Sequence, residues 1–544
     1  MSRRTSAKAL PKASAKTPPV GTRAFTRKAR AAEQQTARKQ AARRQTAGRR
    51  QRTRPSIRLG AVLQGIPTTA WVCALVACLN AVSWSFITPP FQAPDETDHF
   101  AYVEQLVKTG RLPSSSAKTY SADETIALQD LHWSAVHLQP ENHTISTRAE
   151  QQTLQKDLTR VSGLHISGTG AAGVAASEPP LYYALEAIPY YLGSSGTLLD
   201  RLELMRLLSA LMAGITALFA FLFLREALPG VPWAWTVGGL GVALAPLLGD
   251  ISGAVNPDAM LFAVSAAAFY CLARAFRRGL TPKLAIAIGA VTAVGFLTKL
   301  NFIGLAPGVL LGLIVLTIRA ARTSGHAAYR SLALALAIAG SPIALDIIVN
   351  QLSNHPTLGL VSSAASSAVQ HNSALSEISY IWQLYLPRLP LMHNDFPHIL
   401  TTRVLWFNGL VGQYGWADTI FPPWVDDIAL IPAGVIAILC TRALLTSSAV
   451  LRHRLGEIIV YLVITAGVLI LVGSASYVSF PKEAAAFPEP RYLLPMLPLL
   501  GAALALAARG AGRRWGPATG ALIVVLFLAH DLFSQLQVIA RFYG

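Results

Sequence analysis

Within five positions, from Asp95 to His99, the stretch PPFQAPDETDHF sets three carboxylates and an imidazole just after an apolar run that ends near Ile87. A carboxylate placed there can take the proton of an attacking hydroxyl. His99 lies one helical turn after Asp95 and so shares its face, a spacing that suits a base with an orienting partner. The same residues also read as a helix start, with Asp95 as the cap and acids in the first turn favoured by the dipole. Capping explains one acid comfortably and three less well. A metal site is the poorer reading, because no further Asp, Glu or His stands at tight spacing. The expected catalytic set is Asp95, with Glu96 and His99 tuning or orienting it.

Two cations complement these acids. Lys299, in FLTKLN, and Arg491, in FPEPRYLLPMLPLL, each fall where an apolar segment meets the outer surface. Basic residues are disfavoured on that side. A phosphate held at the interface gives each a reason to be there. Snorkelling, or a salt bridge to Asp258 or Glu489, gives an alternative reason. Asp258 and Tyr492 are secondary candidates beside them.

The elements that must position these groups are transmembrane helices. The chain has 544 residues, of which 52% are hydrophobic and only 14% charged. Apolar stretches of about 20 residues, the length that spans hydrocarbon, recur along it. Eleven spans are expected: 66–87, 201–224, 232–250, 257–276, 282–298, 301–319, 331–349, 428–447, 456–476, 492–508 and 517–535. The fifth and sixth are short and could form a re-entrant pair or one broken unit. The fold class is therefore an all-α polytopic membrane protein, with residues 59–544 as the transmembrane domain and long loops at 88–200 and 350–427.

Charge sets the orientation. Residues 1–58 hold 18 Lys and Arg against one acid, whereas the rest of the chain holds 28 bases and 27 acids. This tail lacks the large apolar residues needed for a core and reads as a disordered basic cytoplasmic anchor touching anionic lipid headgroups. It lacks the interleaved aromatics of a nucleic-acid binder, and no nucleic-acid partner is expected. The first apolar run has full span length and no A-x-A site after it, so it reads as an uncleaved signal anchor in a cytoplasmic membrane. Four of the five loops that should then face the cytoplasm are Arg-rich, which supports the alternation. Labelling from outside intact cells is expected to modify Ser115→Cys and to spare Ser6→Cys; labelling of the latter reverses the topology.

The acids near the spans gather at their outer ends, at Asp250, Asp258, Asp346 and Asp531, leaving the bilayer centre almost free of ionisable groups. An ion-coupled transporter places carboxylates at mid-depth, so the pattern points to a site at the outer surface. The four cysteines all fall in proposed spans and form no disulfide framework or C-x-x-C pair.

The loop sequence TPPFQAPDETDHF resembles the first external loop of the GT-C superfamily of membrane glycosyltransferases. EPPLYYALEAIPYYLG, SGAVNPDAMLF, GFLTKLNFIGLAPGVLL, GLVGQYGWADTIFPPWV and EPRYLLPMLPLL follow in the order of that superfamily's polyprenyl-phosphate-dependent mannosyl- and aminoarabinosyl-transferase branches, over about residues 80–500. The resemblance implies a GT-C-like bundle and a polyprenyl-phosphate-linked sugar as donor. It also implies inverting transfer to a glycan, lipid or protein acceptor of the cell envelope. It matches Asp95 to the family's loop acid, and Lys299 and Arg491 to the bases near the donor phosphate. A basic residue expected three or four positions after the histidine is replaced by Tyr102 and Val103. No cofactor is implied, and a divalent metal is left open. Two other functions compete. A lipid-linked oligosaccharide polymerase or ligase would use Arg and His in the external loops, for which HNDFPHILTTRVLWF is available. A non-enzymatic flippase or exporter would need cations lining an intramembrane groove.

Overall fold

The computed structural model describes residues 65–113, 119–145, 147–162, 172–352, 374–395, 402–479 and 489–544. The basic tail of residues 1–58, with Ser6, and the loop residue Ser115 lie outside them.

Helix α1 (Thr68–Ile87) carries no charge in its 20 residues, about 30 Å of helix. The first long loop follows as α2 (Glu96–Thr109), α3 (Ala122–Asp130), α4 (Trp133–Val136), α5 (Arg148–Ser162), a 3-10 turn at Gly173–Ser177, and α6 (Leu181–Leu192). A capping box, Thr197 with Asp200, opens α7 (Leu198–Ala227). Then come α8 (Pro232–Ala243), α9 (Pro246–Ser252), α10 (Pro257–Arg278), α11 (Pro282–Thr298), α12 (Ala306–Ser324) and α13 (His326–Leu352). The second long loop holds α14 (Ala374–Tyr385) and a small antiparallel hairpin, β1 (Gln413–Tyr414) with β2 (Thr419–Ile420), in which Gln413 faces Ile420. The chain ends with α15 (Pro423–Thr446), α16 (Leu455–Ser479), α17 (Leu497–Gly510) and α18 (Gly512–Tyr543).

Nine helices among the described residues are long and apolar enough to cross a membrane, and the bent pair α8–α9 makes ten. The shorter apolar α11, with 17 residues, stands where the fifth expected span lies. The protein is an all-α, multi-pass membrane protein. One expected span differs in form. Residues 232–250 do not make a single rod, because α8 and α9 meet at 51°. Ala245 is extended (ψ 115°) ahead of Pro246, whose ring excludes the helical conformation from the residue before it.

The bundle is built around α7 and α10, with α1 packed along α7. Most of α10 is enclosed, whereas α13 and α15 turn nearly all their surface outward. In hydrocarbon that exposure carries no penalty, and close contact between helices depends on small residues. At Gly238 of α8 a Cβ would come within 2.3 Å of the Gly501 carbonyl oxygen, so α8 and α17 touch backbone to backbone. Asp531 of α18 accepts hydrogen bonds from Asn80 (3.2 Å) and Trp84 (3.1 Å) of α1, fastening the last helix to the first. That acid serves the fold.

The helix ends sort into two faces. At one, Glu226 is buried between Arg277 (3.1 Å) and Arg278 (2.7 Å), and Arg454 donates to the Ala227 carbonyl. Two of the Arg-rich segments meet there, at the end of α7. At the other, here called the loop face, the end of α1 meets the starts of α2, α7, α10 and the Pro490–Met496 turn.

Candidate functional site

Arg206 of α7 organises the loop face. Its Nε and Nη2 bond the Glu96 carboxylate at 2.7 and 2.5 Å. Its remaining donors reach the carbonyls of Ser85 (2.9 Å), Thr88 (2.9 Å) and Pro89 (3.1 Å). All five N–H groups of a guanidinium are thereby used. Glu96 also accepts from the amides of Phe91 (2.9 Å) and Val255 (3.0 Å). The Pro-rich segment is thus wrapped around a sealed ion pair, which explains two non-glycine residues with left-handed backbone, Phe91 (φ 66°) and Asp95 (φ 60°). Glu96 faces away from Asp95 and has no spare lone pair for a substrate proton.

Asp95 precedes α2 but does not cap it, since its side chain accepts no bond from the helix amides. The carboxylate points instead to Arg491, 2.8 Å away, and its side chain stays 21% exposed. Burial would raise its pKa, but Arg491, His99 and Lys299 outweigh that and hold the carboxyl below the usual range. Pro94, the residue before it, is held through its carbonyl by Asn256 (3.2 Å) at the start of α10.

Arg491 lies in the Pro490–Met496 turn, deeply buried, with Nε 2.5 Å from Glu489 and the guanidinium 5.3 Å over the Tyr492 ring. Its Nη1 has no hydrogen-bond partner. Lys299, between α11 and the turn that leads into α12, pairs with Asp258 at 2.9 Å, leaving Asp258 Oδ2 unpartnered. Both cations therefore take the carboxylate partners that the salt-bridge alternative offered them. Glu178 stands beside Lys299; burial first, then Asp258 and Asp95, raise its pKa against the pull of Lys299. Glu489 is raised as well, by burial and by its acidic neighbours, despite Arg491. Four carboxylates thus surround two cations.

The remaining residues of the opening stretch do other work. Asp98 accepts from Tyr120 (2.7 Å) and from the Val174 amide (3.0 Å), tying two parts of the first loop together. The Nδ1 of His99 shares a hydrogen bond with the Tyr183 hydroxyl (2.9 Å) rather than with Asp95. Burial, opposed by Asp95, lowers its pKa to about 3, so the ring is neutral. Its Nε2 has no partner. Among the described residues no group of three or more His, Cys, Asp or Glu is arranged to hold a metal ion.

Residues 78–500 match the family described as predicted membrane protein (DUF2142). The chain belongs to that family. No curated protein and no solved structure matches it. The matched stretch runs from α1 into α17 and takes in every residue of the site.

Within this DUF2142 chain the loop face gathers Asp95, Arg491, Lys299, Asp258 and Tyr492, which the sequence singled out, and sets Glu96 apart on Arg206. Sequence reasoning missed Arg206, Glu178 and Asn256. Arg206 had a signal, being an arginine inside an apolar span, where a charge is expected only with a partner. Glu178 and Asn256 had little, since each draws its place from another loop.

Proposed function

We propose that the protein transfers a sugar from a polyprenyl-phosphate-linked donor to a cell-envelope acceptor, with inversion, Asp95 acting as general base. The observation that carries this reading is the Asp95–Arg491 pair. A part-exposed carboxylate and a buried guanidinium with a free Nη1 stand 2.8 Å apart where a lipid headgroup would lie. The resemblance of the loop motifs to GT-C transferases supports it. In this reading the loop face is the outer face of the cytoplasmic membrane, and residues 1–58 lie in the cytoplasm against anionic lipids.

The chemistry follows from the donor. A sugar phosphate carries its own leaving group, so the step needs a base and cations. The acceptor hydroxyl oxygen bonds to the anomeric carbon as the bond from that carbon to the phosphate oxygen breaks. Its proton passes to Asp95, and polyprenyl phosphate departs with one more negative charge, answered by Arg491 and Lys299. Arg491 starts the cycle on Asp95 and Glu489. A phosphate that draws it away leaves Asp95 less stabilised as an anion and therefore more basic.

The test is binding of undecaprenyl phosphate to the purified chain in lipid nanodiscs. Arg491→Gln is expected to weaken it roughly 10–100-fold, the value of a charged hydrogen bond. Lys299→Ala should weaken it less, because Lys299 Nζ is already committed to Asp258. Affinity equal to wild type in both variants, with melting unchanged, removes the phosphate role.

A further inference from the structure

The two long loops meet at three rings beside this site. Trp133 of α4 stacks on His137, with centroids 4.2 Å apart and planes 17° from parallel. His137 meets Trp416 edge-on, at 4.5 Å and 86°. Trp416 sits in the turn between β1 and β2. Left-handed backbone flanks both elements, at His132 (φ 52°) and Leu138 (φ 55°) around α4 and at Ala417 (φ 64°) beside Trp416. Non-glycine residues rarely adopt that conformation, and it clusters at ligand sites.

Arg541, at the end of α18, fastens the arrangement. It donates to Val136 (2.9 Å) and Asn142 (2.6 Å) of the first loop and pairs with Asp418 (3.0 Å) of the second. Trp133 Nε1 donates to the Phe91 carbonyl (2.8 Å), next to the segment that carries Asp95.

These rings are not ordinary core. All three are only half-buried. Trp416 Nε1 and His137 Nδ1 are out of contact with solvent yet have no hydrogen-bond partner. Aromatic residues of a core cover their faces and pair their polar edges. The residues on either side of Trp416, Gly415 and Ala417, line the same narrow cleft as Arg491, Glu489 and Pro94. Burial lowers the His137 pKa, opposed by Asp418 and then Asp95.

We propose that Trp133, His137 and Trp416 form a binding platform for a pyranose ring next to the Asp95–Arg491 pair. A pyranose has an apolar C–H face and a rim of hydroxyls. The face suits the part-exposed indole and imidazole surfaces, and the hydroxyls can take up Trp416 Nε1 and His137 Nδ1, which no protein group holds, once the side chains shift to admit the sugar. The ring belongs to the donor or to the acceptor. The proposal rests on the glycosyl-transfer reading for the fate of that sugar, whereas its binding is measured without transfer.

The experiment is saturation-transfer NMR on the full chain in nanodiscs, with methyl glycosides of glucose, galactose, mannose and N-acetylglucosamine and their disaccharides as probes. At least one probe should bind, with saturation strongest on the C–H protons of one ring face. Trp416→Phe costs the folded protein no hydrogen bond, so it should fold, and it should weaken binding about fivefold, the value of one such bond. Trp416→Ala and Trp133→Ala should weaken it further. Trp515→Ala, an exposed residue (62%) at the opposite end of α18, should not. Failure of every probe to bind wild type, or wild-type affinity in folded Trp416→Phe and Trp416→Ala, overturns the platform. Undecaprenyl phosphate binding, run in parallel, separates the two readings. Saccharide binding without lipid-phosphate binding keeps the platform and removes the transferase, and the reverse result removes only the platform. In transfer assays, a raised KM for donor or for acceptor in Trp416→Phe tells which substrate carries the ring.

Discussion

Asp95→Asn is expected to abolish sugar transfer while leaving the fold nearly intact. The fold should survive for reasons the structure makes specific. Asp95 makes no capping bond, so no helix amide loses its acceptor. Its backbone is left-handed (φ 60°), a conformation that Asn tolerates as well as Asp, whereas Ala would add strain. Arg491 keeps Glu489 as a partner. The amide, however, cannot accept the acceptor's proton. Loss of a general base costs about 10²–10⁴ in rate. The measurement is transfer from polyprenyl-phosphate sugars by purified wild type and variant, with thermal melting of both. Full activity in the variant would take Asp95 out of the chemistry. Suspicion would then pass to Glu489 and Glu178, whose pKa values are raised, and not to Glu96, which is sealed against Arg206. The acid side carries a second check. Because the folded Asp95 carboxyl lies below its ordinary value of 3.8, its share of stability is complete above that value and is lost as pH falls through the lower folded one. Any small melting difference between wild type and Asp95→Asn at neutral pH should therefore close as the pH falls into strong acid.

Arg206→Ala should be the most destabilising single change on the loop face. It leaves Glu96 a buried charge without its counter-ion, a loss of about 3–5 kcal/mol. It also strips donors from the carbonyls of Ser85, Thr88 and Pro89. Many buried ion pairs can be exchanged for apolar residues at little cost. Here the double variant Glu96→Gln with Arg206→Met should fail to recover stability, since the three carbonyls remain unmet. Arg206→Lys should also fail, because a single ammonium cannot reproduce a five-donor fork. Thermal melting in detergent decides it. Recovery to near wild-type stability in the double variant would show that Arg206 acts on Glu96 alone and does not template the Pro-rich turn.

The sequence by itself determined that the chain is a helical, multi-pass membrane protein, and roughly where each helix runs. Those are local properties: a run of about 20 apolar residues meets hydrocarbon in the same way whatever lies beside it. The break after residue 243 was also written locally, in Pro246, although apolar length alone concealed it. The residue types at the loop face were legible too, because Lys299 and Arg491 stand beside apolar segments and the acids from Asp95 onward closely follow one. What each of them touches was decided by tertiary structure. Asp95 and Arg491 are 396 positions apart and Glu96 and Arg206 are 110 apart, distances over which no sequence periodicity extends. Asp95 and Glu96 are chain neighbours that point to different partners, because Asp95 stands outside α2 with left-handed backbone whereas Glu96 is the first residue of the helix. Only the meeting of α1, α7, α10 and the Pro490–Met496 turn made one of these acids a buried fastening and left the other part-exposed beside a buried arginine.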